Sequence, residues 1–212
     1  GATETFIDLA DLYLEYSEDC DNVNPAIAYV QATKETGFGN FGGILDESYH
    51  NPCGLKISSG GGNNSASSHH VFENWDEGVQ AHLDHLALYA GADGYPKRDT
   101  YDPRHFITLK GKAKTVNDLT GNWATSNIYG EEINKLYRDL LKYSDASIND
   151  EEIENNNYNK YSVPYPAEPE SIPEGLDASS VIPLTITDDK EDTTPNEDSN
   201  IGFKTENDSQ IG

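Results

Sequence analysis

Residues 24–43 read NPAIAYVQATKETGFGNFGG, and the remaining assignments work outward from them. Asn24 can cap a helix, and Pro25 fits its first position, where a missing N–H costs nothing. Gly37 stands where the chain must leave the helix. The spacing predicts a helix from Pro25 to about Thr36 that stops sharply and carries Glu35 in its last turn. A carboxylate gains nothing there, because the unpaired carbonyls of a helix C-terminus are the negative end of its dipole. A general acid does gain, because a raised pKa keeps its proton in place near neutral pH. Moving a glutamate from about 4.3 to about 6 takes roughly 2.3 kcal/mol. A helix terminus supplies only about 0.3–1 kcal/mol, so desolvation must supply the rest. Phe38, Phe41 and Tyr49 are near enough in sequence to wall the carboxyl from water.

The flanking sequence is mostly helical in pattern. Residues 4–18 place Phe6, Ile7, Leu9, Ala10, Tyr13 and Leu14 near helical spacing. A helix from Trp75 to Ala90 is framed by Asn74 as its cap and by Gly91, with Asp76 and Glu77 in its first turn. Shorter helices are expected near Pro103 to Leu109 and Thr115 to Leu119, and a last one from about Gly130 to Tyr143. Residues 53–73 differ. The run GGGNNSASS between short apolar pieces suggests a small β-hairpin or a lip.

Charge and aromatic content place a boundary. The 212 residues carry 14 Lys and Arg against 38 Asp and Glu, a formal net charge of −24. Through Ser144 there are 21 acids and 11 bases, and from Asp145 onward 17 acids and 3 bases. Both tryptophans, all six histidines and both cysteines precede that point. We expect one domain over residues 1–144, followed by an acidic, Pro- and Asn-rich extension over residues 145–212. The extension contains SVPYPAEPESIPEG and DDKEDTTPNEDS, a composition too polar to offset its own ordering entropy. It reads as an extended linker or as a strap packed on the domain. So acidic a surface repels phosphates, which excludes nucleic acid and anionic lipid as expected partners. No stretch approaches the roughly 18 apolar residues of a membrane span, and the first residues lack a basic-then-apolar leader, so no membrane insertion is expected.

Four blocks in order carry a family resemblance: AYVQATKETGFGNFGG, YHNPCGLK, FENWDEGVQAHLDHL and WATSNIYG. Together, over about residues 20–143, they resemble the glucosaminidase domains of glycoside hydrolase family 73, bacterial enzymes that cut peptidoglycan. The resemblance implies a mainly α (α+β) lysozyme-like domain with a small β-hairpin lobe. It also implies an endo-β-N-acetylglucosaminidase that cleaves the β-1,4 bond between N-acetylglucosamine and N-acetylmuramic acid. In the family's E-[ST]-G-[WF]-G block the glutamate is the proton donor, which makes Glu35 the acid here. Asn51, Gly54, Leu55 and Lys56 match N-x-[FY]-G-[IL]-K, with Cys53 in place of the aromatic residue. The last block puts Tyr129 in the site, to hold the sugar's N-acetyl group or to orient water. Phe38, Tyr49, Asn51 and Trp123 are the expected substrate contacts.

The second catalytic group is less defined. Glycosidases usually place a base or nucleophile about 5–9.5 Å from the acid, yet residues 57–72 contain no acid. Glu47 and Glu73 are the leading candidates, with Asp46 and Asp76 behind them. The alternative is attack by the substrate's own N-acetyl oxygen. His69, His70, His82 and His85 lack the H-E-x-x-H pattern. His82 and His85, three positions apart on a helix, read as ordinary exposed or half-buried histidines, and no metal and no cofactor is expected. His50 borders the presumed cleft. A Cys20–Cys53 disulfide and two free thiols are equally compatible with the sequence.

The expected partner is the glycan strand of peptidoglycan. The expected setting is secreted, at the cell wall or surface, as a monomer tethered to another module through its acidic extension. A lytic transglycosylase or muramidase of the same fold, or a non-catalytic wall-binding module, are the alternatives.

Overall fold

The computed structural model describes residues 1–147 and Leu184. Four α-helices form the frame: α1 (Glu4–Tyr16), α2 (Pro25–Thr36), α3 (Trp75–Ala90) and α4 (Tyr129–Ser147). Single turns of 3-10 helix occur at Glu18–Cys20, Glu47–Tyr49, Ala66–Ser68, Ile107–Leu109 and Asn117–Leu119. Of the α-helices, α2 and α3 begin and end where the sequence signals place them, whereas the short helices expected near Pro103 to Leu109 and Thr115 to Leu119 are single 3-10 turns. The Asn24 side chain accepts from the N–H groups of Ala26 and Ile27, and Asn74 from that of Glu77. Gly37 takes a left-handed φ of 60° and closes α2 by donating its N–H to the Thr33 carbonyl.

The core lies where α1, α2 and α3 meet and extends to the start of α4. Leu9 and Tyr13, Ile27 and Ala32, Val79, Leu83 and Leu86, and Ile133 are fully or almost fully buried there. A smaller apolar cluster of Cys53, Leu55, Phe72 and Ala81 lies under residues 51–72, and Trp123 packs against both clusters. Leu184 is built into the main core with no exposed surface. Its N–H donates to the Lys114 carbonyl at 3.2 Å, and its carbonyl accepts from the Asn24 N–H at 2.7 Å. The core therefore includes a residue from beyond position 144. The last helix also runs past the expected boundary to Ser147, and the rest of the expected linker or strap lies outside the described residues.

The expected β-hairpin is a single antiparallel bridge between Lys56 and His69, with no named strand among the described residues. The Ile57 N–H bonds to Ser68 O and the His70 N–H to Leu55 O. Between these contacts the glycine-rich run is held by Lys56 Nζ on the Gly61 carbonyl and on Asn63 Oδ1, each at 2.6 Å. Glycines and short polar residues offer no alternating apolar face, so nothing extends the ladder. Cys20 and Cys53 are both buried and free, one in each cluster.

The histidines of α3 depart most from expectation. His82 and His85 are buried, not exposed or half-buried, and each imidazole is partnered. His82 lies between Tyr13 and Gln31. His85 Nδ1 bonds Asp102 Oδ2 at 2.7 Å, and His105 Nδ1 bonds the same oxygen at 2.9 Å. With both of its nitrogens bonded, the His82 imidazole can enter the core in its neutral form at small cost.

These groups make stability pH-dependent. Burial lowers the His82 pKa to about 3 from the ordinary 6.5, so between those values the unfolded chain binds a proton that the folded chain does not. Stability is then lost as pH falls, by up to about 1.4 kcal/mol per unit from this group. For Asp102, burial pushes the carboxyl up. The His105 and His85 N–H donors and the Arg104 backbone N–H more than offset this and hold it at about 2. It therefore adds its own loss between about pH 4 and pH 2. Urea unfolding between pH 7 and pH 4 should show a pH slope that is smaller by up to one proton in His82→Gln than in the wild type. Equal slopes would exclude His82 as the titrating group.

Candidate active site

The site forms where the end of α2 meets the start of α4. Glu35 and Gln31 lie one turn apart on the same face of α2, and Tyr129 is the first residue of α4. Gly130 allows this junction, because a Cβ there would lie 2.8 Å from Asn117 Cα. Its N–H is fixed to Thr120 Oγ1 at 3.0 Å. The Tyr129 hydroxyl donates to Glu35 Oε1 and accepts from Gln31 Nε2 at 2.9 Å. Lys34 pairs with Glu132 at 2.8 Å and stands 5.6 Å from the centre of the Tyr129 ring, so its charge is directed to α4.

A cleft of about 200 Å³ opens beside Glu35 and is lined also by Phe41, Ile44, Leu45, Asn51 and His69. Glu35 is exposed as a residue, yet the surrounding protein desolvates its carboxyl enough to raise its pKa. A carboxyl on the wall of a concavity meets fewer waters than its accessible area suggests. Desolvation therefore sets the direction. The hydrogen bond from Tyr129, the Lys34 charge and the hydrogen bond from Trp123 oppose the rise without cancelling it.

The expected walls are only partly those found. Phe41 lines the cleft. Phe38 sits in the left-handed turn after α2 at φ 62°, is 48% exposed, and is not among the lining residues. Tyr49 is half-buried in its 3-10 turn, where its carbonyl accepts from the Phe72 N–H. Asn51 borders the cleft but is fully buried. Its amide donates to the Leu55 and His70 carbonyls and accepts from the Leu55 N–H, each at 2.9 Å, so it builds the loop. Trp123 and Tyr129 come from far along the chain to flank the acid. His50 packs edge-on against Trp75 and bonds the Phe72 carbonyl.

No second carboxylate joins Glu35 in the cleft among the described residues. Exposed Glu47 borders a separate dimple with Thr3, Phe6, Gly39 and Trp75. Exposed Glu73 bonds through its backbone N–H to Glu77 Oε2 at 3.1 Å. Asp46 caps the turn at Ser48, and Asp76 accepts from the Tyr16 hydroxyl at 2.6 Å. His69 is the other ionisable group on the lining. Its Nδ1 meets the Ser65 carbonyl at 3.0 Å, which fixes the proton there. No group of three or more His, Cys, Asp or Glu among the described residues is arranged to hold a metal ion. No helix among them is long and apolar enough to cross a membrane.

The described residues form a helical domain with Glu35 beside a cleft. A family model described as Glucosaminidase, mannosyl-glycoprotein endo-beta-N-acetylglucosaminidase, matches residues 10–142, and the chain belongs to that family. The chain is 36% identical over 127 residues to an uncharacterized protein of Borreliella burgdorferi. That match covers 60% of this chain and 59% of the relative's length. The crystal structure of the catalytic domain of the autolysin Auto from Listeria monocytogenes matches with a TM-score of 0.42 and 18% identity. The match covers 66% of this chain and 86% of that one.

Proposed function

We propose that the chain is a peptidoglycan hydrolase, an endo-β-N-acetylglucosaminidase that cleaves the β-1,4 bond between N-acetylglucosamine and N-acetylmuramic acid, with Glu35 as general acid. The observation that carries this reading is the Glu35 carboxyl, desolvated beside an open cleft and hydrogen-bonded by Tyr129. Membership of the glucosaminidase family supports the choice of bond.

With no second carboxylate on the described lining, substrate-assisted cleavage fits best. The carbonyl oxygen of the substrate's own acetamido group attacks the anomeric carbon. At the same time Glu35 passes its proton to the glycosidic oxygen, and the bond to the leaving sugar breaks. The Glu35 carboxylate then takes a proton from water as that water opens the cyclic intermediate, which returns the acid and retains the anomeric configuration. Catalysis of this kind needs the wall outside the cytoplasm, so the protein acts as a secreted, wall-associated enzyme on glycan strands. It works as a monomer, with the acidic extension joining it to a neighbouring module.

Digestion of sacculi should release muropeptides with reducing N-acetylglucosamine ends, read by mass spectrometry. Reducing muramic acid or anhydro-muramic ends would replace the proposal with a muramidase or a lytic transglycosylase, which a single-acid cleft also suits. Binding without release would mark a wall-binding module. Glu47→Gln and Glu73→Gln should keep activity within about threefold, below the 10²–10⁴ of a lost acid–base group. A dead variant of either would identify a protein base.

A further inference from the structure

The Tyr129 hydroxyl that touches Glu35 is the last link of a longer buried chain. The Tyr13 hydroxyl meets His82 Nδ1 at 2.7 Å, and His82 Nε2 meets Gln31 Oε1 at 3.1 Å. Gln31 Nε2 donates to the Tyr129 hydroxyl at 2.9 Å, and that hydroxyl donates to Glu35. Tyr13, Gln31 and His82 have no exposed surface, and Tyr129 is almost fully buried. Four elements contribute: Tyr13 from α1, Gln31 and Glu35 from α2, His82 from α3 and Tyr129 from α4.

The direction of every bond follows from the atoms present. Tyr129 has one proton and a carboxylate oxygen before it, so it donates there and accepts from the amide of Gln31. That orientation turns the Gln31 carbonyl to His82, which must supply N–H from Nε2, leaving Nδ1 to accept from Tyr13. Burial keeps the imidazole neutral down to about pH 3, so the pattern holds throughout the working range. A hydroxyl that accepts a hydrogen bond donates a stronger one. The chain therefore polarises Tyr129 toward Glu35, and each link adds to the stabilisation of the charged carboxylate.

We propose that Gln31 and His82 are positioning residues that act on the Glu35 carboxyl through the hydroxyl of Tyr129. The assignment rests on Glu35 being the general acid. The other ionisable groups around that carboxyl are Lys34 on α2, Glu132 on α4, Cys53 and His69, and none of them belongs to the chain. The proposal accounts for what the burial of two polar side chains in mid-core achieves. A raised proton affinity is useful only up to the point where Glu35 can still give its proton away and later take one from water.

The test is a 13C NMR titration of the Glu35 carboxyl, together with pH–activity profiles on peptidoglycan, in the wild type, Gln31→Met, Gln31→Glu and Tyr13→Phe. Gln31→Met keeps the side-chain length but gives Tyr129 no donor, and should raise the Glu35 midpoint by a few tenths of a pH unit. Gln31→Glu puts an acceptor where the donor stood and competes for the Tyr129 proton. It should raise the midpoint by about one unit, the share of a charged hydrogen bond. In both, the alkaline limb of activity should move up by the same amount. Tyr13→Phe should move it by less than either. Thermal unfolding of each variant shows that it is folded. Unchanged midpoints in folded Gln31 variants would overturn the proposal, even if stability or turnover fell. A midpoint that shifts while the activity limb does not would uphold the relay and instead remove Glu35 as the general acid.

Discussion

Replacing Glu35 with glutamine is expected to lower peptidoglycan turnover by about 10²–10⁴, the usual contribution of a positioned acid–base group, and to raise stability at neutral pH. Both effects have one cause. Protein packed behind the carboxyl raises its pKa against the Tyr129 hydrogen bond, the Lys34 charge and the Trp123 hydrogen bond. The folded chain then holds a proton in a pH range where the unfolded chain has lost it. For such a group, stability is fully present below the unfolded pKa and is lost as pH rises through the folded pKa. A neutral amide removes that loss. The wild type and Glu35→Gln should therefore unfold at similar temperatures at pH 4, with the variant ahead at pH 7, the familiar exchange of stability for activity at a catalytic group. Wild-type activity should fall as pH rises through the Glu35 pKa. Full activity in the variant would remove the acid. A variant less stable than the wild type at pH 7 would show that the carboxylate is held by favourable contacts and is not desolvated.

Much of this arrangement was legible in the sequence because it is local. Asn24, Pro25 and Gly37 bound α2, and Asn74 and Gly91 bound α3, because caps and left-handed turns depend on neighbours within four residues. Glu35 stood out for the same reason, as a carboxylate at the wrong end of a helix dipole. What surrounds it was less legible. Phe38 and Tyr49 lie close in sequence yet are not among the lining residues, whereas Tyr129, which the family resemblance names, reaches Glu35 from far along the chain because Gly130 lets α4 begin against residue 117. The burial of His82 was hidden because its partners, Tyr13 and Gln31, lie 69 and 51 positions away. One signal was available for the relay. Gln31 precedes Glu35 by one helical turn on a face that otherwise carries apolar residues such as Ile27 and Ala28, and a polar side chain there needs a partner.

The residue that local composition concealed most completely is Leu184, and its replacement by aspartate should come close to unfolding the domain. The flanking sequence is acidic and proline-containing, yet the side chain is fully buried in the main core. Truncation to alanine should cost about 2–5 kcal/mol in chemical denaturation, as for other buried leucines. Aspartate puts an unpaired charge in the same place and should exceed about 4 kcal/mol, a large part of the 5–15 kcal/mol of a typical domain. Methionine keeps volume and apolarity and should cost less than about 1.5 kcal/mol. The backbone of Leu184 bridges the Lys114 carbonyl and the Asn24 N–H, and Asn24 caps the helix that ends at Glu35. The aspartate variant should therefore lose activity together with stability, while the methionine variant keeps both. Wild-type stability in Leu184→Asp would show that the core closes without this residue. The graded order methionine, alanine, aspartate would show that the burial of Leu184 is part of what holds α2 in place.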